Sequence, residues 1–278
     1  MKLARFRTAV HGASVGMLDG DRLVALSGPE QAGEMAHWLT PEGQKAARTQ
    51  AASGAHLPLS GIEWLPPLST GSRLFCVGIN YRTHAAETGR EVNPYPSIHL
   101  RTPESVVGQG QPLRPPLASE QYDYEGELAV VIGRAGQDIA PEAALDHVAG
   151  YTCFNEGSVR DFQKHSTTAG KNFDASGACG PWVVTADEVP DPTQLILVTR
   201  LNGVEVQHAT TDMLIYPIPT ILSYISRFSA LRPGDIVATG TPAGVGARHS
   251  PPLWMKAGDV VEVQISGIGL LRNPVQAA

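Results

Sequence analysis

The chain reads as a β-rich α+β protein with a small N-terminal α/β region, residues 1–70, ahead of a larger domain over 71–278. Two observations predict this. With 29 Gly and 22 Pro among 278 residues and only 17% charged, turns are too frequent for a helical bundle. Beyond residue 70, short apolar runs bounded by Gly, Pro and Asn recur, whereas helix-period segments are few. A doubly wound parallel sheet, which needs a helix after each strand, is not expected.

Each element has a local reason. Val15–Leu18 and Leu23–Leu26 flank Asp19-Gly20-Asp21 and read as a hairpin. An Ala-, Glu- and Gln-rich stretch from Pro29 towards Ala51 reads as helix, and Leu65-Pro66-Pro67-Leu68 breaks regular structure as a linker. Tyr81–Thr88 fits a helix that puts His84 and Glu87 on one face. Leu128–Ile132 and Val148–Phe154 read as neighbouring buried strands, and Gly157–Lys164 as a helix. Asn202-Gly203 between Leu195–Leu201 and Val204–His208 marks a second hairpin. Thr211-Asp212 is a candidate cap for a helix that includes Ile221 and ends near Phe228. Arg232–Val237 and Lys256–Val261 share a turn-then-strand pattern, too short to be a repeat architecture.

Composition narrows the function classes. A net charge of −6 and the lack of a basic run argue against nucleic acid. Three scattered cysteines cannot form a disulfide framework and suggest a reducing interior. No apolar run has the length of a membrane span, and Met1–Arg5 opens no signal-like apolar region, so the expected compartment is the cytoplasm.

The chemistry concentrates in Tyr124-Glu125-Gly126-Glu127-Leu128. Positions i and i+2 of a strand share a face, so Glu125 and Glu127 converge, and two unpaired carboxylates that close repel. A hard divalent cation would remove the conflict; the plain alternative is an acidic strand end in solvent. Glu156 after Asn155, where the next apolar strand ends, adds a third carboxylate. Together they suit Mg²⁺ or Mn²⁺, with Ca²⁺ possible, and no His or Cys cluster has zinc spacing. Read alone, His84 and Glu87 are a candidate base pair or an inconsequential surface pair. Arg160, Gln163 and Lys171 follow the second acidic cluster; Arg160 and Lys171 are suited to anions, though Arg160 and Gln163 also fit the solvated face of a helix. Thr239–Gly246 lacks a Walker ending, which leaves a loop holding a substrate carboxylate or a simple tight turn. Ser158, Ser176 and Cys179 sit in no nucleophile elbow.

Over roughly residues 70–275 the chain resembles the fumarylacetoacetate hydrolase superfamily. The resemblance rests on Cys76-Val77-Gly78-Ile79-Asn80-Tyr81 with His84 and Glu87, on Tyr124–Ala129, and on Gly150-Tyr151-Thr152 with Asn155-Glu156. It continues through Arg160–Gln163, Gly170–Asp174, Gly180-Pro181-Trp182, Leu201-Asn202-Gly203, Pro233–Ile236 and Thr239–Gly246, all in the family's order. It implies a mixed β-sandwich roll around a metal site held by Glu125, Glu127 and Glu156. His84 and Glu87 would lie on a mobile segment and deprotonate water, and Lys171 would stabilise an enolate. Tyr81, Arg160, Gln163 and Thr241 would bind substrate. Two departures touch the pocket: Glu156 stands where the family usually has Asp, and His165–Ala169 is a short connection.

The expected activity is metal-dependent hydrolysis of a C–C bond in a small 2,4-dioxo acid of the acylpyruvate or fumarylpyruvate type, as met in aromatic catabolism. Alternatives within the superfamily are decarboxylation of an oxaloacetate-like acid and hydration or isomerisation of a 2-oxo-alkenoate. An alternative of another class is a non-catalytic metal-dependent ligand-binding β-sandwich. The partners expected are a small 2-oxo acid and a second copy of the chain in a homodimer, for which Met213–Tyr216 offers apolar surface.

Overall fold

The computed structural model describes residues 1–10, 12–26 and 34–277. Period-two alternation in the strand Gly126–Ile132 sets its layering. Leu128, Val130 and Ile132 face one core, with Tyr151, Cys153, Leu197, Val261, Val263 and Leu271. Ala129 and Val131 face another, with Cys76, Phe154, Cys179, Leu3, Trp38 and Leu39. A large mixed sheet therefore lies between two apolar layers. One layer is supplied by a four-stranded antiparallel sheet, in the order Val204–Thr210, Ile196–Leu201, Val260–Ile265, Gly269–Pro274. The other is supplied by the helices Met35–Leu39 and Pro41–Ala51. This is the strand-rich α+β sandwich that the sequence predicts.

In the large sheet Gly126–Ile132 pairs antiparallel with Val148–Asn155 on one side and with Ile236–Ala238 on the other. Ile236–Ala238 runs parallel to Leu74–Gly78, which pairs antiparallel with Ser97–Arg101. Beyond Val148–Asn155 come Gly177–Thr185 and then Lys2–Arg7, the first strand of the N-terminal hairpins. The N-terminal region thus extends the same sheet, across the boundary expected near residue 70. The two-residue strand Val106–Val107 pairs parallel with Gly177–Ala178, at the other end of the strand from its pairing with Lys2–Leu3.

Both Gly-turn hairpins form, Ser14–Asp19 with Arg22–Ala25 and Ile196–Leu201 with Val204–Thr210. Three local expectations are corrected. The helix from Pro29 is two helices beginning at Met35, and its first expected residues lie outside the described ones. Gly157–Lys164 is a two-residue strand, Ser158–Val159, followed by a helix of only Arg160–Gln163, because Ser158 and Val159 pair with Asp123 and Tyr122. Thr211-Asp212 forms a separate 3-10 turn; Pro217 and Pro219 start the later helix, Ile218–Phe228, which ends where expected. Met213–Tyr216 offers less surface than supposed, since Leu214 joins the core and Met213 and Tyr216 pack against it. Among the described residues no helix is long and apolar enough to cross a membrane.

Leu3 is fully buried among Val15, Val183 and Cys179 of the shared core. Leu3→Ala should cost about 2–5 kcal/mol, as truncations of packed core leucines do. Urea unfolding should show that loss in one cooperative transition; a loss confined to a minor early phase would mean that the first strand is not integral to the fold.

Candidate active site

Where the strands Gly126–Ile132 and Val148–Asn155 begin and end, three buried carboxylates meet. Glu127 pairs in register with Phe154, and the Glu156 N–H donates to the Glu125 carbonyl at 2.8 Å. That bond folds the chain beyond Asn155 back over the neighbouring strand. Gly157 permits the close fold, since a Cβ there would stand 1.6 Å from the Ser176 carbonyl oxygen. One carboxylate oxygen from each of Glu125, Glu127 and Glu156 lies within 4.8 Å of the others; the period-two spacing predicts the convergence of the first two, and the end of the neighbouring strand brings in the third.

Lys171 stands between two of them. Its Nζ donates to Glu125 Oε2 and to Glu156 Oε2, each at 2.8 Å. Lys171 ends the short helix Thr167–Lys171, capped by the Ser166 hydroxyl, which accepts from the Ala169 N–H. Arg160 Nη1 is 2.7 Å from Glu125 Oε1, and its Nε donates to Asp123 Oδ2 at 2.7 Å. Glu156 Oε1 also accepts from His99 Nε2 at 2.9 Å, with Arg101 Nη1 at 3.9 Å.

These partners divide the carboxylates. Burial opposes ionisation of Glu125, and the charges of Lys171 and Arg160 overcome it and hold its carboxyl below the usual range. Against the same burial, Lys171 and His99 hold Glu156 well below that range. Glu127 differs: burial, with Glu156 and Glu125 beside it, pushes its carboxyl well above. Its Oε2 accepts from the Gly240 N–H at 2.8 Å, and among the described residues no cationic side chain lies within ion-pair distance of it. A trio of convergent oxygens with one under-compensated member fits a hard divalent cation.

His84 and Glu87 form the pair that the i, i+3 spacing predicts, on the helix Arg82–Thr88, with Nδ1 and Oε2 2.9 Å apart. Tyr81 precedes that helix. Its position follows from a strained turn in which Ile79, β-branched, takes φ 43°. The buried Asn80 holds the turn, donating to the carbonyls of Thr239 and Tyr216. His84 lines the same cavity of about 890 Å³ as Glu125, Glu127, Glu156, Lys171, Arg160, Gln163 and Thr241.

Two site expectations change. Tyr81 does not line that cavity: it is fully buried, with a hydroxyl that has no hydrogen-bond partner. Three amides of the loop Thr239–Gly246, expected to hold a substrate carboxylate, serve carboxylates of the protein instead, while Thr241 and Val245 line the cavity. Gly240 N–H donates to Glu127, Gly244 N–H to Glu87 Oε1 at 2.9 Å, and Gly246 N–H to Asp123 Oδ1 at 2.7 Å. Gly244, at φ 100°, has no room for a Cβ, which would lie 2.0 Å from the Val206 carbonyl oxygen. The Thr241 hydroxyl donates to the Gly126 carbonyl and accepts from Gln207 Nε2.

The structure adds residues that sequence reasoning missed. Asp123 continues the period-two acidic series one step upstream and was legible by the same argument. His99 and Arg101, two apart in the strand Ser97–Arg101, also follow that rule, but nothing in their spacing points to Glu156. Arg90, Lys164 and Arg248 line the outer cavity, exposed and without ion pairs among the described residues, and so are better placed than Arg160 to meet an incoming anion.

The family described as Fumarylacetoacetate (FAA) hydrolase C-terminal matches residues 73–276. "Oxaloacetate tautomerase fahd2, mitochondrial" of Xenopus laevis is 38% identical over 236 residues, covering 83% of this chain and 74% of its own. "Oxaloacetate tautomerase YisK" of Bacillus subtilis (strain 168) is 35% identical over 263 residues, covering 92% and 84%. The solved structure of maleylpyruvate hydrolase from Sphingobium sp. SYK-6, in complex with manganese(II) ion and pyruvate, superposes with a TM-score of 0.82 at 27% identity and covers 100% of both chains. A buried carboxylate trio bridged by a lysine, a His–Glu pair across the same cavity and these likenesses agree: the chain belongs to the fumarylacetoacetate hydrolase family.

Proposed function

We propose that this chain is a divalent-metal-dependent enzyme that interconverts the keto and enol forms of a small oxaloacetate-like 2-oxo acid. The observation that carries the reading is the placement of Lys171 with its carboxylates and of the His84–Glu87 pair on one cavity. Tautomerisation needs a group that moves a proton at the carbon beside the keto group, and positive charge where the enolate oxygen develops. It needs no nucleophile, in keeping with the lack of a nucleophile elbow. Two tautomerase relatives spanning most of the chain support this choice.

Glu125, Glu127 and Glu156 would hold the cation, Mg²⁺ or Mn²⁺; when bound, it supplies Lewis-acid polarisation of the 2-oxo group. Lys171, fixed between Glu125 and Glu156, contributes a second positive charge at that wall. Glu87 accepts from His84 Nδ1–H, which leaves the Nε2 lone pair to take the substrate proton. Gly244 N–H holds the other Glu87 oxygen, so the base keeps its orientation. Arg90, Lys164 and Arg248 meet the substrate carboxylates at the mouth of the cavity.

Hydrolytic C–C cleavage of an acylpyruvate is the second reading, favoured by the same His–Glu pair, which would then act on water, and by the likeness to a maleylpyruvate hydrolase. The deciding experiment assays oxaloacetate, acylpyruvates and 2-oxo-alkenoates with Mg²⁺ or Mn²⁺ and identifies the products. Accelerated enol–keto exchange without cleavage supports the tautomerase; pyruvate with a released acid supports the hydrolase; turnover of none overturns both.

His84→Ala should slow tautomerisation, and any acylpyruvate cleavage, by about 10²–10⁴-fold, the usual worth of a positioned base. Any decarboxylation of oxaloacetate should fall less, because loss of CO₂ needs no base. Unchanged exchange rates in this variant would remove His84 from the reaction.

Saturating Mg²⁺ or Mn²⁺ should raise the unfolding temperature, by an amount equivalent to about 2.7 kcal/mol at a hundredfold excess over Kd. Glu127→Gln should abolish that rise and leave the metal-free protein at least as stable as the parent, because it removes the one carboxyl of the trio that burial, with Glu156 and Glu125 beside it, pushes well above the usual range. Calorimetry with and without metal reads both effects, and a full metal response in the variant would refute the trio.

A further inference from the structure

Cys76 has no part in the chemistry above, yet it lies beside it. It stands directly opposite His99 in the antiparallel pair Leu74–Gly78 and Ser97–Arg101, so the two side chains share a face. The Cys76 Sγ, a His99 ring nitrogen and a Glu156 carboxylate oxygen all lie within 4.8 Å of one another. No spacing rule joins these residues; the pairing of the two strands and the turn after Asn155 bring them together. We infer that Cys76, His99 and Glu156 form a second cation site, selective for thiophilic divalent ions such as Zn²⁺, which shares Glu156 with the carboxylate trio and silences the enzyme when filled.

The donor set makes the choice of ion. One sulfur, one imidazole nitrogen and one carboxylate oxygen suit Zn²⁺, whereas Mg²⁺ favours oxygen alone. The bite is close to what the ion needs. His99 Nε2 and Glu156 Oε1 are 2.9 Å apart; on a tetrahedral Zn²⁺ with bonds of about 2.0–2.1 Å they would be roughly 3.3 Å apart. The imidazole and carboxylate therefore need to part by only a few tenths of an ångström, and the Cys76 sulfur lies within 4.8 Å of both. His99 and Glu156 line the large cavity, which supplies an entry path and a fourth position for water, while Cys76 is fully buried behind them. On binding, the S–H proton leaves to solvent as the metal–sulfur bond forms, and the thiolate adds a negative charge beside Glu156, whose other oxygen already pairs with Lys171. Arg101, 3.9 Å from Glu156, opposes a second cation. Its guanidinium is committed elsewhere, to the Gly157 and Ser105 carbonyls and the Ser176 hydroxyl.

Because Glu156 cannot serve both ions fully, Zn²⁺ should inhibit Mg²⁺-supported turnover at concentrations far below that of Mg²⁺. The first test, a spectrum, needs no substrate. Co²⁺ titrated into the full-length protein should produce thiolate-to-metal charge-transfer absorption in the near ultraviolet. Cys76→Ser, and separately Cys76→Ala, should abolish that band, although Cys153 and Cys179 remain. His99→Asn should weaken it. With each protein's own Mg²⁺-supported rate as reference, the Cys76 variants should need at least about 10- to 100-fold more Zn²⁺ for equal inhibition, the loss that even an outer partner of a metal ligand causes. A wild-type Co²⁺ spectrum without a thiolate band overturns the proposal whether or not the variants fold. So does an identical band or identical Zn²⁺ sensitivity in the Cys76 variants. The spectrum does not depend on which 2-oxo acid is turned over, so its failure is separate from failure of the assigned reaction.

Discussion

The ammonium of Lys171, buried between Glu125 and Glu156, is the interaction on which the site depends. An isolated carboxylate taken out of water would neutralise itself, and so would an isolated ammonium; together they stay charged because each offsets the other's loss of solvent. Removing one member of such a set leaves a stranded buried charge, which costs about 3–5 kcal/mol in comparable cases. The charge set therefore serves shape as well as chemistry. It ties the short helix carrying Lys171 to the strand ends carrying the acids, through contacts that neither element could make alone.

The loop Thr239–Gly246 complements it. Amides of Gly240, Gly244 and Gly246 each hold a carboxylate from a different element: a trio member, the partner of the base, and the partner of Arg160. Glycine is required at Gly244 by its φ and by the neighbouring backbone. A single loop thereby sets the spacing between the wall that carries the acids and the helix that carries His84. Its hydrogen-bond donors resemble those of an anion-binding loop, and its anions belong to the protein.

What the sequence made legible was whatever obeys a short local period. The convergence of Glu125 and Glu127, the His84–Glu87 contact, both Asn-Gly and Gly-turn hairpins, and the strand ending at Asn155 all follow from spacings of two or three residues or from turn chemistry. Glu156 was legible as the acid ending the second strand, the place of Lys171 beside it came from the family resemblance, and the structure brings the two together. What could not be read depends on the fold alone. The meeting of Cys76, His99 and Glu156 joins three segments far apart in the chain. The burial of Tyr81 depends on the strained turn at Ile79. The helix expected over Gly157–Lys164 failed because Ser158 and Val159 found strand partners, and tertiary pairing overrode local preference.

The shared sheet has a consequence for how this family's catalytic region can be handled. The matched segment begins at residue 73, but the strand Gly177–Thr185 at its flank is covered by Lys2–Arg7. A fragment cut at that boundary would present bare backbone donors and acceptors beside Val183 and Val184, together with the apolar surface that Leu3, Trp38 and Leu39 now cover. Such an edge is a template for adding strands from other chains. The N-terminal hairpins are thus an edge guard: what looks like a detachable preface covers a strand edge and an apolar face that the matched region would otherwise leave bare.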